Sequence, residues 1–211
     1  MTQPDPYPVR FSVDYPDRPL NRLTTFFRII VAIPILIVLG AVAGAQWQWS
    51  HDQSTTTIAA GTGGLLFFAP LLMILFRRKY PRWWFDFNLE LQRFINRVSV
   101  YLALMQDQYP ATDEYQSVRL EYDYPDASRQ LNRWLPLVKW FLAIPHYVVL
   151  FFLQIASAVV IIVSWFAILF TGTYPRGLFD FVAGVLRWHN RVVGYAFTLV
   201  TDRYPPFRLS P

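Results

Sequence analysis

The chain says the same thing twice, and that bounds its architecture before any residue is assigned a role. Residues 9–17 read VRFSVDYPD and residues 118–126 read VRLEYDYPD. An Asn-Arg pair follows each, at Asn21-Arg22 and Asn132-Arg133, and an Ala-Ile-Pro ends thirteen residues past the Asn both times, at Pro34 and Pro145. After a long apolar stretch, YPRWWFDF at 80–87 matches YPRGLFDF at 174–181, and RFINRVSVY at 93–101 matches RWHNRVVGY at 187–195. Both units close on Tyr-Pro, at Tyr109-Pro110 and Tyr204-Pro205. Self-similarity at this period predicts two copies of one structural unit, residues 1–111 and 112–211.

The apolar residues between these motifs come in blocks, at 26–45, 58–76 and 135–170. Charged residues make up only 16% of the chain, against about 25% in a typical soluble domain. A helical crossing of a bilayer takes about 20 mostly apolar residues. The first two blocks are long enough for one crossing each. The third fits two short crossings with a turn near Gln154–Ser157, or a re-entrant hairpin. The expectation is therefore a mainly α integral membrane protein with four transmembrane helices in two parallel repeats. Residues 1–20 are Pro-rich without an apolar core, so no secretory signal peptide is expected there.

Charge sets an expected orientation. The loop at 46–57 carries no Lys or Arg, whereas Arg10, Arg18 and Arg22 precede the first block and Arg77, Arg78, Lys79 and Arg82 follow the second. The positive-inside rule puts both termini in the cytoplasm. The net charge of +5 then reads as a basic face toward anionic phospholipid, with no need for nucleic acid. Arg28 and Lys139, each six residues before the repeated Pro, read as cations snorkelling to the interface.

Within each unit, Val9, Phe11, Val13 and Tyr15 alternate with Arg10, Ser12 and Asp14, and Val118, Leu120, Tyr122 and Tyr124 alternate with Arg119, Glu121 and Asp123. Period two predicts half-buried strands, each the economical partner of the other in a small cytoplasmic β element. Asn21 and Asn132 are N-cap candidates. Pro34 and Pro145 are expected helix kinks. Gly40 with Gly44, and Ala60 with Gly64, are small-residue pairs suited to helix packing. After each Tyr-Pro-Arg an amphipathic helix is expected, lying on the inner leaflet or against the strands.

The twice-used polar set is Asp86, Arg93, Asn96, Arg97 and Tyr101 with Asp180, Arg187, Asn190, Arg191 and Tyr195. It reads either as a structural ion-pair cluster stapling the helix to its neighbours, or as an anionic-headgroup site with the arginines as a clamp. Enzyme chemistry has little support. His51, His146 and His189 do not recur between units and stand in no HExxH pattern,. The chain lacks cysteine, which rules out thiol catalysis and thiolate metal sites. No cofactor or metal is expected.

These motifs resemble a bacterial membrane family of uncharacterised proteins, domain of unknown function 4389. DYPDRPLNR and the following Ala-Ile-Pro at 14–34, TGTYPRGLFDF at 171–181, RWHNRVVGY at 187–195 and TDRYPPF at 201–207 carry the resemblance. The first unit departs from it, with Arg77-Arg78-Lys79 for Thr-Gly-Thr and Trp83-Trp84 for Gly-Leu. The resemblance implies an integral protein of the bacterial inner membrane and no established activity. The functional expectation is a non-enzymatic accessory or scaffold subunit, associating with other membrane subunits or itself. The alternatives are an oligomeric transporter or channel and, behind it, a lipid-modifying enzyme.

Overall fold

The computed structural model describes residues 7–43, 69–111 and 117–211. The two alternating segments form strands β1 (Val9–Val13) and β2 (Val118–Tyr122). They pair with each other, antiparallel, with Phe11 opposite Leu120 at the centre. Val9, Phe11, Val118, Leu120 and Tyr122 are buried on one face, while Arg10, Arg119 and Glu121 stand on the other. The small β element is thus a two-stranded sheet with one charged face.

Asn21 caps helix α1 (Arg22–Phe26), its side chain accepting from the Leu23 and Thr24 N–H groups. α1 yields at Phe27 to α2 (Arg28–Ala43), which carries Pro34 in its interior. A π-helical turn, Met73–Arg77, precedes α3 (Arg82–Leu102). After β2, a 3-10 turn at Leu135–Leu137 leads into the short α4 (Lys139–Leu142), the long α5 (Ile144–Thr171) and α6 (Arg176–Ala196). Pro145 lies in the first turn of α5, where its missing N–H is not needed.

Three layers result. α3 packs on β2 and α6 on β1. α2 lies on α3, and α5 on α6 and α1, on the side away from the sheet. The amphipathic helices are therefore the middle layer, between the sheet and α2 or α5, with Trp83 and Phe87 of α3 left exposed. Their inner faces, with Phe85, Leu89, Phe179 and Val182, join the sheet residues in one core.

The expectation of four transmembrane helices is not met. Among the described residues one helix, α5, is long and apolar enough to cross a membrane. The block at 135–170 does not turn at Gln154–Ser157 but runs unbroken through them. No Gly or Pro occurs between Pro145 and Gly172, so nothing there ends a helix. Ser157, with His146, Leu150, Ser164 and Ile168, belongs to the buried stripe of α5, and its polarity marks a packing contact. The helix stops where Gly172 supplies a left-handed cap at φ +76°,. Residues 28–43 make a helix of 16 residues, about 24 Å at ~1.5 Å per residue. Residues 58–68, the 46–57 loop, Gly44, Ala60 and Gly64 lie outside the described residues.

Candidate functional site

The repeated polar set converges on the sheet and the helix pair beneath it. Asn96 and Asn190 meet side by side in the buried contact between α3 and α6. Each Nδ2 donates to the other's Oδ1, at 2.8 and 2.7 Å, and also to a carbonyl one turn back, Gln92 or Leu186. Arg93 Nε donates to Leu120 O and Arg187 Nε to Phe11 O. These acceptors are the paired central residues of the sheet. Each arginine thereby ties its helix to the strand of the other half of the sequence.

The tyrosines of the DYPD motifs cross over in the same way. Tyr15 donates to Tyr174 O and Tyr124 to Tyr80 O. Arg176 lies over the Tyr15 ring and Arg82 over the Tyr124 ring, at 4.7 and 4.9 Å.

Arg28 and Lys139 do not snorkel. Both are buried, at 2% and 0% exposure. Arg28 reaches Asp107 Oδ1 at 2.5 Å and Gln106 O at 2.7 Å. Lys139 Nζ stands 2.7 Å from Asp202 Oδ1 and donates to Thr201 O at 2.6 Å. Tyr101 and Tyr195 present their rings to these cations, at 4.2 and 5.1 Å. The second oxygens of Asp107 and Asp202 accept the backbone N–H groups of Asn21 and Asn132. Burial lowers the Lys139 pKa, and Asp202 works against that shift. Asp107 and Asp202 were absent from the sequence-derived set. Their signal was present all the same, since each stands two residues before its repeated Tyr-Pro.

Asp86 and Asp180 stay at the surface. Asp86 lies 3.9 Å from Arg82, both exposed, so neither aspartate is the partner that secures the arginines. Arg97 donates to Ala111 O. Arg191 donates to Arg208 O at 3.2 Å and Ser210 O at 2.8 Å, and Arg187 to Leu209 O at 2.7 Å. Backbone carbonyls supply no net charge, so they hold the Arg187 and Arg191 guanidinia without neutralising them.

Arg187 and Arg191 therefore line, with Arg208, a cavity of about 430 Å³ beside β1, bordered by Tyr7, Arg10, Ser12, Arg119 and Glu121. Arg191 is 3% exposed, and its Nε has no hydrogen-bond partner. Burial, then the neighbouring Arg208 and Arg187 charges, push its pKa down to about 10. Among the described residues no group of three His, Cys, Asp or Glu is placed to hold a metal ion.

Residues 133–208 match the family described as Domain of unknown function (DUF4389). The match takes in α4, α5, α6 and the first part of the tail after them. No curated protein and no solved structure matches the chain.

Proposed function

We propose that the protein is a non-enzymatic membrane module seated on the cytoplasmic leaflet of a bacterial inner membrane, with α5 lying in the plane of the bilayer. The observation that carries this reading is the burial pattern of α5. His146, Leu150, Ser157, Ser164 and Ile168 form one narrow buried stripe from end to end. Tyr147, Leu153, Val160, Ile161 and Trp165 flank it half-buried, and the opposite side of the helix is apolar and open, including Phe151, Phe152, Val159, Ile162, Phe166 and Phe170. Single exposed apolar residues are ordinary, but a continuous face of this kind marks an interaction surface.

The body along that stripe has a charged far face, with Arg10, Asp14, Arg119, Glu121 and Asp123 on the sheet. A helix that crossed the bilayer at right angles would carry those charges into the hydrocarbon, at a cost of several kcal/mol. A helix laid flat keeps them in water. Leu23 and Phe26 of α1, Ile29, Ile30, Ile33 and Ile37 of α2, and Trp140 and Phe141 of α4 extend the same exposed apolar surface.

The ends of α5 support the same geometry. Its start adjoins the Lys139–Asp202 pair, and its end at Gly172 accepts from Leu20 N beside the Asn21–Asp107 contact. These are equivalent positions in the two repeats. We infer that the chain is a tandem duplication whose pseudo-two-fold axis runs along the membrane normal, which sets both ends at one depth. The reading is an accessory or scaffold subunit that presents its charged sheet face to the cytoplasm and associates with other membrane subunits.

A single-cysteine series tests the orientation, because the chain has no native cysteine. Phe152, Val159 and Phe166 share one outward face at 64%, 57% and 50% exposure. The outer two are about 21 Å apart along the helix at ~1.5 Å per residue. Nitroxide labels in nanodiscs should report one common depth for all three. A deep label at 159 between two shallow ones would mean that α5 crosses, and the proposal would be abandoned.

A further inference from the structure

We propose that the cavity between β1, α6 and the C-terminal tail is a binding site for a compact phosphate-bearing anion. The argument starts from a difference between the repeats. In the first, Glu90 lies three residues before Arg93 and pairs with it at 2.6 Å. The corresponding position before Arg187 is Gly184. A Cβ there would stand 2.8 Å from Leu209 Cβ and 3.2 Å from Leu209 O. The glycine removes the acid and, by the same change, admits the tail segment whose carbonyls orient Arg187 and Arg191.

The charge inventory around the cavity is one-sided. Arg10 is satisfied by Glu121 and Asp123, and Arg119 pairs with Asp14. No carboxylate among the described residues is in ion-pair distance of Arg187, Arg191 or Arg208. Arg208 is exposed, and its side chain makes no hydrogen bond. Arg191 is almost wholly buried at the cavity wall with its Nε unpartnered. A buried, uncompensated charge is costly, and an anion in the cavity relieves it. Preorganised guanidinia favour oxyanions with several acceptor oxygens, which phosphate supplies. The exposed donors of Arg208 are available for such contacts without disturbing the tail.

The site faces away from the apolar layer. Arg187 and Arg191 point to the strand and tail, whereas Trp188 and Val192 of the same helix pack with Leu150 of α5. A phosphate group from the aqueous phase reaches the cavity directly. A phospholipid headgroup shares the chemistry but must come from another membrane or around the body's edge.

The test uses the full chain in phosphatidylcholine nanodiscs, titrated with inorganic phosphate and followed by calorimetry and phosphorus NMR. Parallel nanodiscs contain phosphatidic acid. Saturable phosphate binding, weakened about ten-fold or more by Arg208→Gln, is the expected result and corresponds to losing one charge-assisted hydrogen bond. The Arg208 side chain is exposed and no fold-holding hydrogen bond or ion pair depends on it, so this variant is expected to keep the fold, checked by its thermal unfolding. Arg208→Glu should abolish binding. Arg208-dependent binding of phosphatidic acid alone would support the site with a lipid as its occupant. Binding that is absent in both preparations, or indifferent to both Arg208 substitutions, overturns the proposal.

Discussion

Removing one partner of the Lys139–Asp202 pair should have a lopsided effect. Lys139 has no solvent exposure, while the Asp202 side chain keeps 19%. Asp202→Ala leaves an ammonium buried with only Thr201 O and the Tyr195 ring for company. Breaking a buried pair in this way costs about 3–5 kcal/mol. It also strips the Asn132 N–H of its acceptor, worth a further ~1 kcal/mol. Lys139→Met leaves a carboxylate that still reaches water and still accepts from Asn132, and should cost about 1–2 kcal/mol. Adding Lys139→Met to Asp202→Ala should cost less than the two single losses summed, by a coupling of about 2–3 kcal/mol within the range for contacting residues. Equilibrium unfolding in micelles by urea or SDS, followed by tryptophan fluorescence, reads all three. The pH dependence gives an independent check. Burial holds the folded Lys139 pKa below its ordinary 10.5, so over that interval the unfolded chain binds more protons and stability rises with pH. Asp202→Ala removes the opposing attraction and should steepen the rise, and Lys139→Met should flatten it. Equal losses for the two single variants, or strict additivity in the double, would refute the assignment of Lys139 as a buried charge.

Other contacts give sharper or weaker effects. Asn96→Leu should cost about 1–3 kcal/mol by leaving the Asn190 amide half-satisfied, and Asn96→Leu with Asn190→Leu should be the milder change in thermal unfolding. Gly194→Ala drives a Cβ to 2.5 Å from Val9 Cγ2 and should cost about 1–3 kcal/mol, relieved when Val9→Ala is added. Asp86→Ala removes a 3.9 Å contact between exposed side chains and should change stability by no more than about 0.5 kcal/mol. Gly172→Ala imposes a side chain at φ +76° and should lower the melting temperature by the equivalent of about 1 kcal/mol.

The parts legible in the sequence are those fixed by local pattern. Period two along Val9–Val13 and Val118–Tyr122 gave the strands, and mutual pairing followed because a lone strand cannot satisfy its backbone. Asn21 is a true cap, whereas its counterpart Asn132 accepts from Trp134 N without heading a helix. The α5 segment misled because composition counts apolar residues without saying where a chain turns. Gln154 and Ser157 looked like a polar break, yet without Gly or Pro they simply continued the helix. Arg187 and Arg191 were recognised, but their partners were not, because Phe11 O, Leu209 O and Ser210 O are backbone atoms that every residue carries. Arg28 and Lys139 were assigned to the interface because the aspartates that bury them lie 79 and 63 positions downstream in sequence.

The crossed attachment of strands to helices has a consequence for synthesis. β1 is made long before its covering helix, α6, and Arg187 closes the contact with Phe11 across 176 positions. As the chain leaves the ribosome, the first half holds α3 without the strand that covers it and a strand without its helix. The early product must therefore wait until the second half arrives to interlock with it. Two fragments divided near residue 112 should each be poor on their own and should recover the native contacts only when expressed together. Each fragment would then carry the strand that the other fragment's helix needs.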